Sequence, residues 1–206
     1  MRGVGIVKGE TAMKRILVAC LALVALLAVV PSLQAAAPPG PGQQMPDFEL
    51  PLPKDGADRN YLGLTGRLFS FGGGSFRVAE TKAQAVIFQV FSMYCPHCQK
   101  DAPNMNTLYN LIEGSQRARG KVKIIGVGAG NNPYEVGVFK KKYQVPFPLF
   151  PDGDFIIHKK LGDVRTPYFI VIRIMPDGSH RVVYSKLGSF GDPARFLDDV
   201  LTMTGI

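Results

Sequence analysis

Tryptophan is absent from this chain of 206 residues, and cysteine and histidine occur only three times each. So few soft ligands exclude a structural zinc site, which needs about four, drawn as a rule from two ligand pairs. His97, His158 and His180 show no ligand spacing. The glycines at 72–74 are not followed by GK[ST], so they are no phosphate loop. No basic stripe is interleaved with aromatics, which argues against a nucleic acid partner, and Lys140-Lys141-Lys142 reads as a solvated helix face. Long apolar runs are missing as well, with one exception at Ile16–Val30, whose 15 residues fall short of the roughly 20 that span a membrane.

What is present is ordinary for one globular domain: 46% hydrophobic and 19% charged residues. The exceptional apolar run follows Met13-Lys14-Arg15 and leads through Pro31 into SLQAAA, the anatomy of a secretory signal peptide. Residues 1–37 are expected to be that leader, with Met13 the better start and cleavage within Ala35–Ala37; an uncleaved signal anchoring the chain to the membrane is the alternative. Cys20 stands near the start of the apolar region, where a lipoprotein cysteine does not. The formal charge of +8 falls to about +5 once the leader's Arg2, Lys8, Lys14, Arg15 and Glu10 are set aside. Removal of Cys20 with the leader leaves one pair of cysteines, an even count that suits an oxidising compartment such as the periplasm.

Residues 38–46 read as a linker rich in Pro, Gly and Gln, and 47–206 as the folded domain. RNYLGLTGRLFSFGGGSFRV (59–78) predicts short strands around a glycine turn. AQAVIFQVF (83–91) and KVKIIGVGA (121–129) are apolar runs of the kind buried on both faces of a sheet. Between them a helix is expected over 96–112, opened by Pro96 and kinked at Pro103. Asn132, Pro133 and Glu135 form a capping-box start for another helix. FPLF (147–150) predicts a strand and FIIHKKLG (155–162) a short helix. YFIVIRI (168–174) and HRVVYSKL (180–187), flanking Pro176-Asp177-Gly178, predict a hairpin. Asp192-Pro193 opens a last helix with Phe196, Leu197, Val200 and Leu201 on one face. The expected fold class is α/β, with a central mixed sheet flanked by helices.

FSMYCPHCQKDAP (91–103) holds Cys95 and Cys98, separated by Pro96 and His97. Haem attachment wants His directly after the second Cys, where Gln99 stands. A staple closing so short a loop gains only roughly 2 kcal/mol, against about 3 for fifteen residues. A redox pair fits its surroundings better. At a strand-to-helix transition, unpaired N–H groups and the helix dipole stabilise a Cys95 thiolate, the attacking species, and His97 adds a charge or hydrogen bond. Cys98, one turn further in, is then the resolving thiol.

This constellation resembles the exported thiol–disulfide oxidoreductases of the TlpA/ResA type, members of the thioredoxin superfamily. MPDFELP (45–51) is similar to their N-terminal strand segment, AVIFQVFSMYCPHCQKDAP (85–103) to their active-site strand, loop and kinked helix, and QVPFPLFPDGD and VRTPYFIVIRIMPDGSHRV to their later strands. The resemblance spans Met45 to Leu201. It implies a thioredoxin-like fold with an N-terminal β extension, a cis Pro167, and a groove in which the Thr166 backbone pairs with extended substrate. It also implies protein thiols and disulfides as partners, apocytochrome c among them, a membrane or periplasmic redox partner, and no cofactor or metal. The chain departs from the pattern at FSMY, which replaces a tryptophan-rich approach, and at Gln89, where thioredoxins carry a titrating Asp. Asp101 replaces the Glu common after the second cysteine, and Glu80, Asp101 and His97 are candidate proton carriers that also read as surface or loop residues. The Pro96-His97 dipeptide matches the oxidising DsbA type, though the short spans between elements leave no room for that type's helical insertion. Two further readings stay open. A peroxiredoxin-like peroxidase fits Ser92 but not Phe88, where a Pro is required, and a copper-binding assembly factor would draw a third ligand from His158.

Overall fold

The computed structural model describes residues 37–65 and 74–206. The predicted leader up to Ala36, Gly72 and Gly73 lie outside them. In chain order the elements are β1 (Leu50–Pro51), α1 (Gly56–Leu62), β2 (Ser75–Phe76), β3 (Ala85–Phe91), α2 (Pro96–Gly114), β4 (Val122–Ala129), α3 (Pro133–Lys142), β5 (Leu149–Asp152), α4 (Ile156–Lys160), β6 (Tyr168–Ile174), β7 (His180–Leu187) and α5 (Pro193–Thr204). Five strands form a mixed sheet in the order β5-β4-β3-β6-β7, with β3, β4 and β5 parallel and β6 and β7 antiparallel. β1 and β2 form a separate two-stranded antiparallel sheet. This is the α/β thioredoxin-like fold with a small N-terminal β extension.

Every residue of β3 and β4 is buried, as their continuous apolar runs predict. Alternation along β3 divides the core. Val86, Phe88 and Val90 face Phe48, Leu50, Leu62, Phe76, Ile157 of α4 and Leu161 at its C-cap. Ala85, Ile87 and Phe91 face α2 and α5 through Cys98, Met105, Leu108, Phe196 and Val200. Gln89 shares the second face by its position in the strand and is itself buried. α2 continues through Pro103, whose missing N–H leaves the Gln99 carbonyl without its helical donor. The capping box at Asn132 and Glu135 and the Asp192 cap of α5 are both formed.

Three stretches differ from the sequence expectation. RNYL belongs to α1 rather than to a strand. Asp55 Oδ1 accepts the Ala57 N–H at 2.8 Å, and Gly63 closes the helix in the left-handed region at φ 72. A Cβ at Gly63 would stand 2.4 Å from Lys82 Cβ, so the position needs glycine twice over. Strand β5 begins at Leu149 rather than Phe147, because Pro148 has no N–H for the ladder; its carbonyl instead accepts from Gly126 at 3.0 Å. Residues 38–46, read as a linker, lie against the outer strand β7. Gly42 N–H donates to Val182 O and Val182 N–H to Gln43 O, both at 2.8 Å, and Met45 is buried. This segment covers pairing groups that an edge strand would otherwise expose.

Candidate active site

β3 and β6 are antiparallel neighbours, with Val90 paired to Tyr168. The end of β3 and the start of β6 therefore lie at the same rim of the sheet. Cys95 follows the first, and Thr166-Pro167 precedes the second. The Thr166–Pro167 bond is cis, and Cys95 Sγ lies 3.3 Å from the Thr166 carbonyl across 71 residues of sequence. Pro167 is buried, whereas Pro96 and His97 are exposed.

Cys95 is the N-cap of α2. Its Sγ accepts the Cys98 N–H at 3.4 Å, in the place where Ser or Asp oxygens usually sit. Partial burial pushes the Cys95 thiol up, but hydrogen bonding from the Thr166 side chain, from Cys98 and from the His97 N–H outweighs it, so the net shift is down. The Thr166 carbonyl works the other way, since it can accept only from the protonated thiol. Cys98 is fully buried, and desolvation, with Cys95 adding to it, pushes its thiol up to about 12. The two sulfurs are thus opposite in character: one partly exposed and acidified, one sealed and protonated. Both are free thiols here.

The loop carrying Cys95 is held by groups the sequence reading did not single out. Asn131, fully buried at the end of β4, accepts the Met93 N–H at 2.8 Å, and Gln99 Nε2 donates to Met93 O at 2.7 Å. Gly130, at φ 65, lets the Phe155 ring pack where a Cβ would stand 2.3 Å away, and so shapes the turn that presents Asn131. Asn131 follows the end of the parallel strand β4 by two residues, the region where open α/β sheets place their sites, but no spacing in the sequence ties it to Cys95.

Beside Cys95 opens a cleft of about 620 Å³, lined by His97, Lys100, Asp101, Arg165, Pro167 and Ser189 among others. Asp101 is neither a surface nor a loop residue. It sits in the first turns of α2, only 4% exposed, where the helix turns inward. Its Oδ1 accepts from Ser189 Oγ at 2.7 Å and Asn104 Nδ2 at 3.4 Å, while Oδ2 is buried without a partner among the described residues. Of the other proton-carrier candidates, Glu80 caps the Arg77 N–H at 2.7 Å, and what His97 gives the sulfur is its backbone N–H. His158 is committed at one ring nitrogen. Its Nε2 lies 2.7 Å from Val164 O, while its Nδ1, 3.2 Å from Asp163 Oδ1, has no hydrogen-bond partner among the described residues.

Fold and site together define a thioredoxin-fold protein with a paired-cysteine centre facing a cis-proline. Residues 41–181 match the AhpC/TSA family, and the chain belongs to that family. The chain is related to the thiol-disulfide oxidoreductase ResA of Halalkalibacterium halodurans, with 31% identity over 100 residues, 48% of this chain and 54% of that protein. The match thus spans about half the length of that relative. Two solved structures share the fold at a TM-score of 0.58. A Chlorobium tepidum chain provisionally assigned as the thiol:disulfide interchange protein DsbE is 15% identical, covering 81% of this chain and 99% of its own. A Bacteroides thetaiotaomicron chain provisionally assigned as a protein disulfide isomerase is 19% identical, covering 82% and 92%.

Proposed function

We propose that this chain is an exported thiol–disulfide oxidoreductase of the TlpA/ResA type, exchanging disulfides with protein substrates. The observation that carries the reading is the inequality of the two sulfurs beside the cis-proline: an acidified Cys95 at the helix N-cap and a sealed Cys98 one turn behind it. In the reducing direction the Cys95 thiolate attacks a client disulfide. One client sulfur forms the mixed disulfide and the other leaves as a thiolate. Cys98 then gives up its proton and attacks Cys95 Sγ, which releases the second client thiol and leaves the Cys95–Cys98 disulfide. Two electrons pass to the client, and a thiol partner in the envelope restores them. Asp101, three residues beyond Cys98 on the same helix face and carrying an unpartnered oxygen, is the acceptor for the Cys98 proton. Thr166 and Pro167 form the substrate groove, Pro96 and His97 set the thiolate's surroundings, and the leader at 1–37 directs export to the periplasm.

Resemblance to the TlpA/ResA type favours the reductant direction, with apocytochrome c as the client. The Pro96-His97 dipeptide and the lowered Cys95 pKa favour an oxidant, because a stabilised thiolate draws electrons in. The reduction potential of the Cys95–Cys98 pair decides between them: a value near that of thioredoxin is expected of the reductant and one near that of DsbA of the oxidant. Exchange itself is tested by mixing reduced protein with an excess of a protein disulfide and counting thiols on both. Client thiols should appear as Cys95 and Cys98 disappear, and a rate no greater than that of the Cys95→Ser variant would sink the proposal. Peroxide consumption by the reduced protein in place of exchange would restore the peroxidase reading.

A further inference from the structure

The cleft beside Cys95 is lopsided in charge. Lys100 projects from α2 on one wall, and Arg165 from the segment before the cis-proline on the other. Both are exposed, and neither has an ion pair or side-chain hydrogen bond among the described residues. The cleft's one carboxylate, Asp101, is turned inward, with Oδ1 held by Ser189 and Asn104. The same lining includes the apolar Pro167, Gly188 and Leu187, the last 38% exposed. A volume of about 620 Å³ exceeds what one cysteine side chain fills and admits its neighbours in an extended segment.

We infer that this cleft selects extended client segments carrying a carboxylate side chain one or two residues from the reactive cysteine. The inference rests on the oxidoreductase reading and adds a substrate class to it. Two cations lining one cleft, unpaired among the described residues, attract a negative side chain and repel a positive one. Walls of low dielectric strengthen both effects relative to open water. The cis-proline segment fixes where the client cysteine lies, so the charge is read at a defined distance from the sulfur. Arg165 presents a planar fork suited to a carboxylate, and Lys100 a point charge that accommodates either neighbouring position. Lys100 and Arg165 are thus specificity residues, separate from the groups that carry the exchange.

The test uses three peptides identical except for the residue after a single cysteine, which is Glu, Gln or Lys. Each is supplied as its mixed disulfide with 2-mercaptoethanol. Reduced protein converts each to peptide thiol and 2-mercaptoethanol while forming its own Cys95–Cys98 disulfide, so single turnovers need no other reductant. The second-order rate constants should rank Glu above Gln above Lys, with an extreme ratio on the order of tenfold at low salt. That ratio should shrink in 1 M salt, where the screening length is about 3 Å. It should fall toward one in Lys100→Gln/Arg165→Gln and invert in Arg165→Glu. A ratio near one in the wild-type protein, or one that persists unchanged in the double variant, overturns the inference. The symmetrical disulfide of 2-mercaptoethanol, which is uncharged, separates the two levels. Turnover of it without peptide discrimination rejects the charge-selective cleft alone, whereas no turnover of any disulfide rejects the oxidoreductase reading and this inference with it.

Discussion

The two sides of Cys95 are built on opposite rules. On the side of β4, the backbone of the loop is matched to protein partners, the Met93 N–H to Asn131, the Met93 carbonyl to Gln99 and the Cys95 N–H to Ser92 O at 3.1 Å, while Asn131 Nδ2 is buried without a partner among the described residues. On the side of β6, Lys100 and Arg165 stand unpaired and Asp101 keeps an unpartnered oxygen among the described residues. Hydrogen bonds satisfied within the protein fix a geometry, while groups left open are available to protons and partners. On the proposed function, the nucleophile lies on the seam between a wall that holds it and a wall that receives its client.

Breaking the sulfur itself has the largest expected effect. Cys95→Ser should lower exchange by at least about a thousandfold, since a hydroxyl at neutral pH supplies no comparable nucleophile. Cys98→Ser should accumulate client mixed disulfides, visible as covalent adducts on non-reducing gels. Next comes the open side. Asp101→Asn should slow release of the mixed disulfide by about 10²-fold, the low end for a proton-transfer group, and leave its formation comparatively fast; rapid-quench trapping separates the two steps. Equal slowing of both steps would remove Asp101 from proton transfer. The held side should answer in stability instead. Asn131→Ala, which strands the part-buried Met93 N–H, should cost about 1–2 kcal/mol in denaturant unfolding, while Arg165→Gln should stay within about 0.5 kcal/mol. Equal costs would erase the contrast between the walls.

A further effect is one of pH. Cys98 keeps its proton in the fold up to about 12, whereas in the unfolded chain it loses it near the ordinary thiol value of about 8.5. The unfolded state therefore binds fewer protons in that window. The contribution of the neutral thiol to stability is complete below about 8.5 and declines as pH rises toward 12, by at most about 1.4 kcal/mol per unit. Cys95, with its pKa lowered, acts in the opposite sense at lower pH. The disulfide form titrates at neither sulfur, so the gap between reduced and oxidised stability should change with pH above 8.5. A constant gap would show Cys98 to be less sealed than its burial indicates.

Much of the frame was legible because its signals are local. The buried strands β3 and β4, the hairpin strands β6 and β7, and the caps at Asn132 and Asp192 each follow from residues within a few positions of one another. α1 was misread because leucine and aromatic residues alternate over too short a run to tell period 2 from one helical turn, while the deciding signals, Asp55 and Gly63, stand at its ends. At the site, the cysteine pair was visible as a motif, and the pairing of Thr166 and Pro167 with it came from family resemblance. Asn131, Ser189 and Arg165 were not visible, because no spacing relates them to Cys95. They reach it only once the strands are ordered. Asp101 was named but misplaced, since the sequence does not say which side of α2 turns inward at its first turns.

The distance of 71 residues between Cys95 and Thr166 also sets an order of events during synthesis. The cysteine pair leaves the ribosome well before the strand that completes its groove. Until β6 docks beside β3, the nascent chain has a reactive CxxC but no surface with which to choose among thiols. On the proposed function, selectivity is therefore acquired late, as a property of the finished sheet, and a chain truncated before Thr166 would carry the cysteine pair without the groove residues.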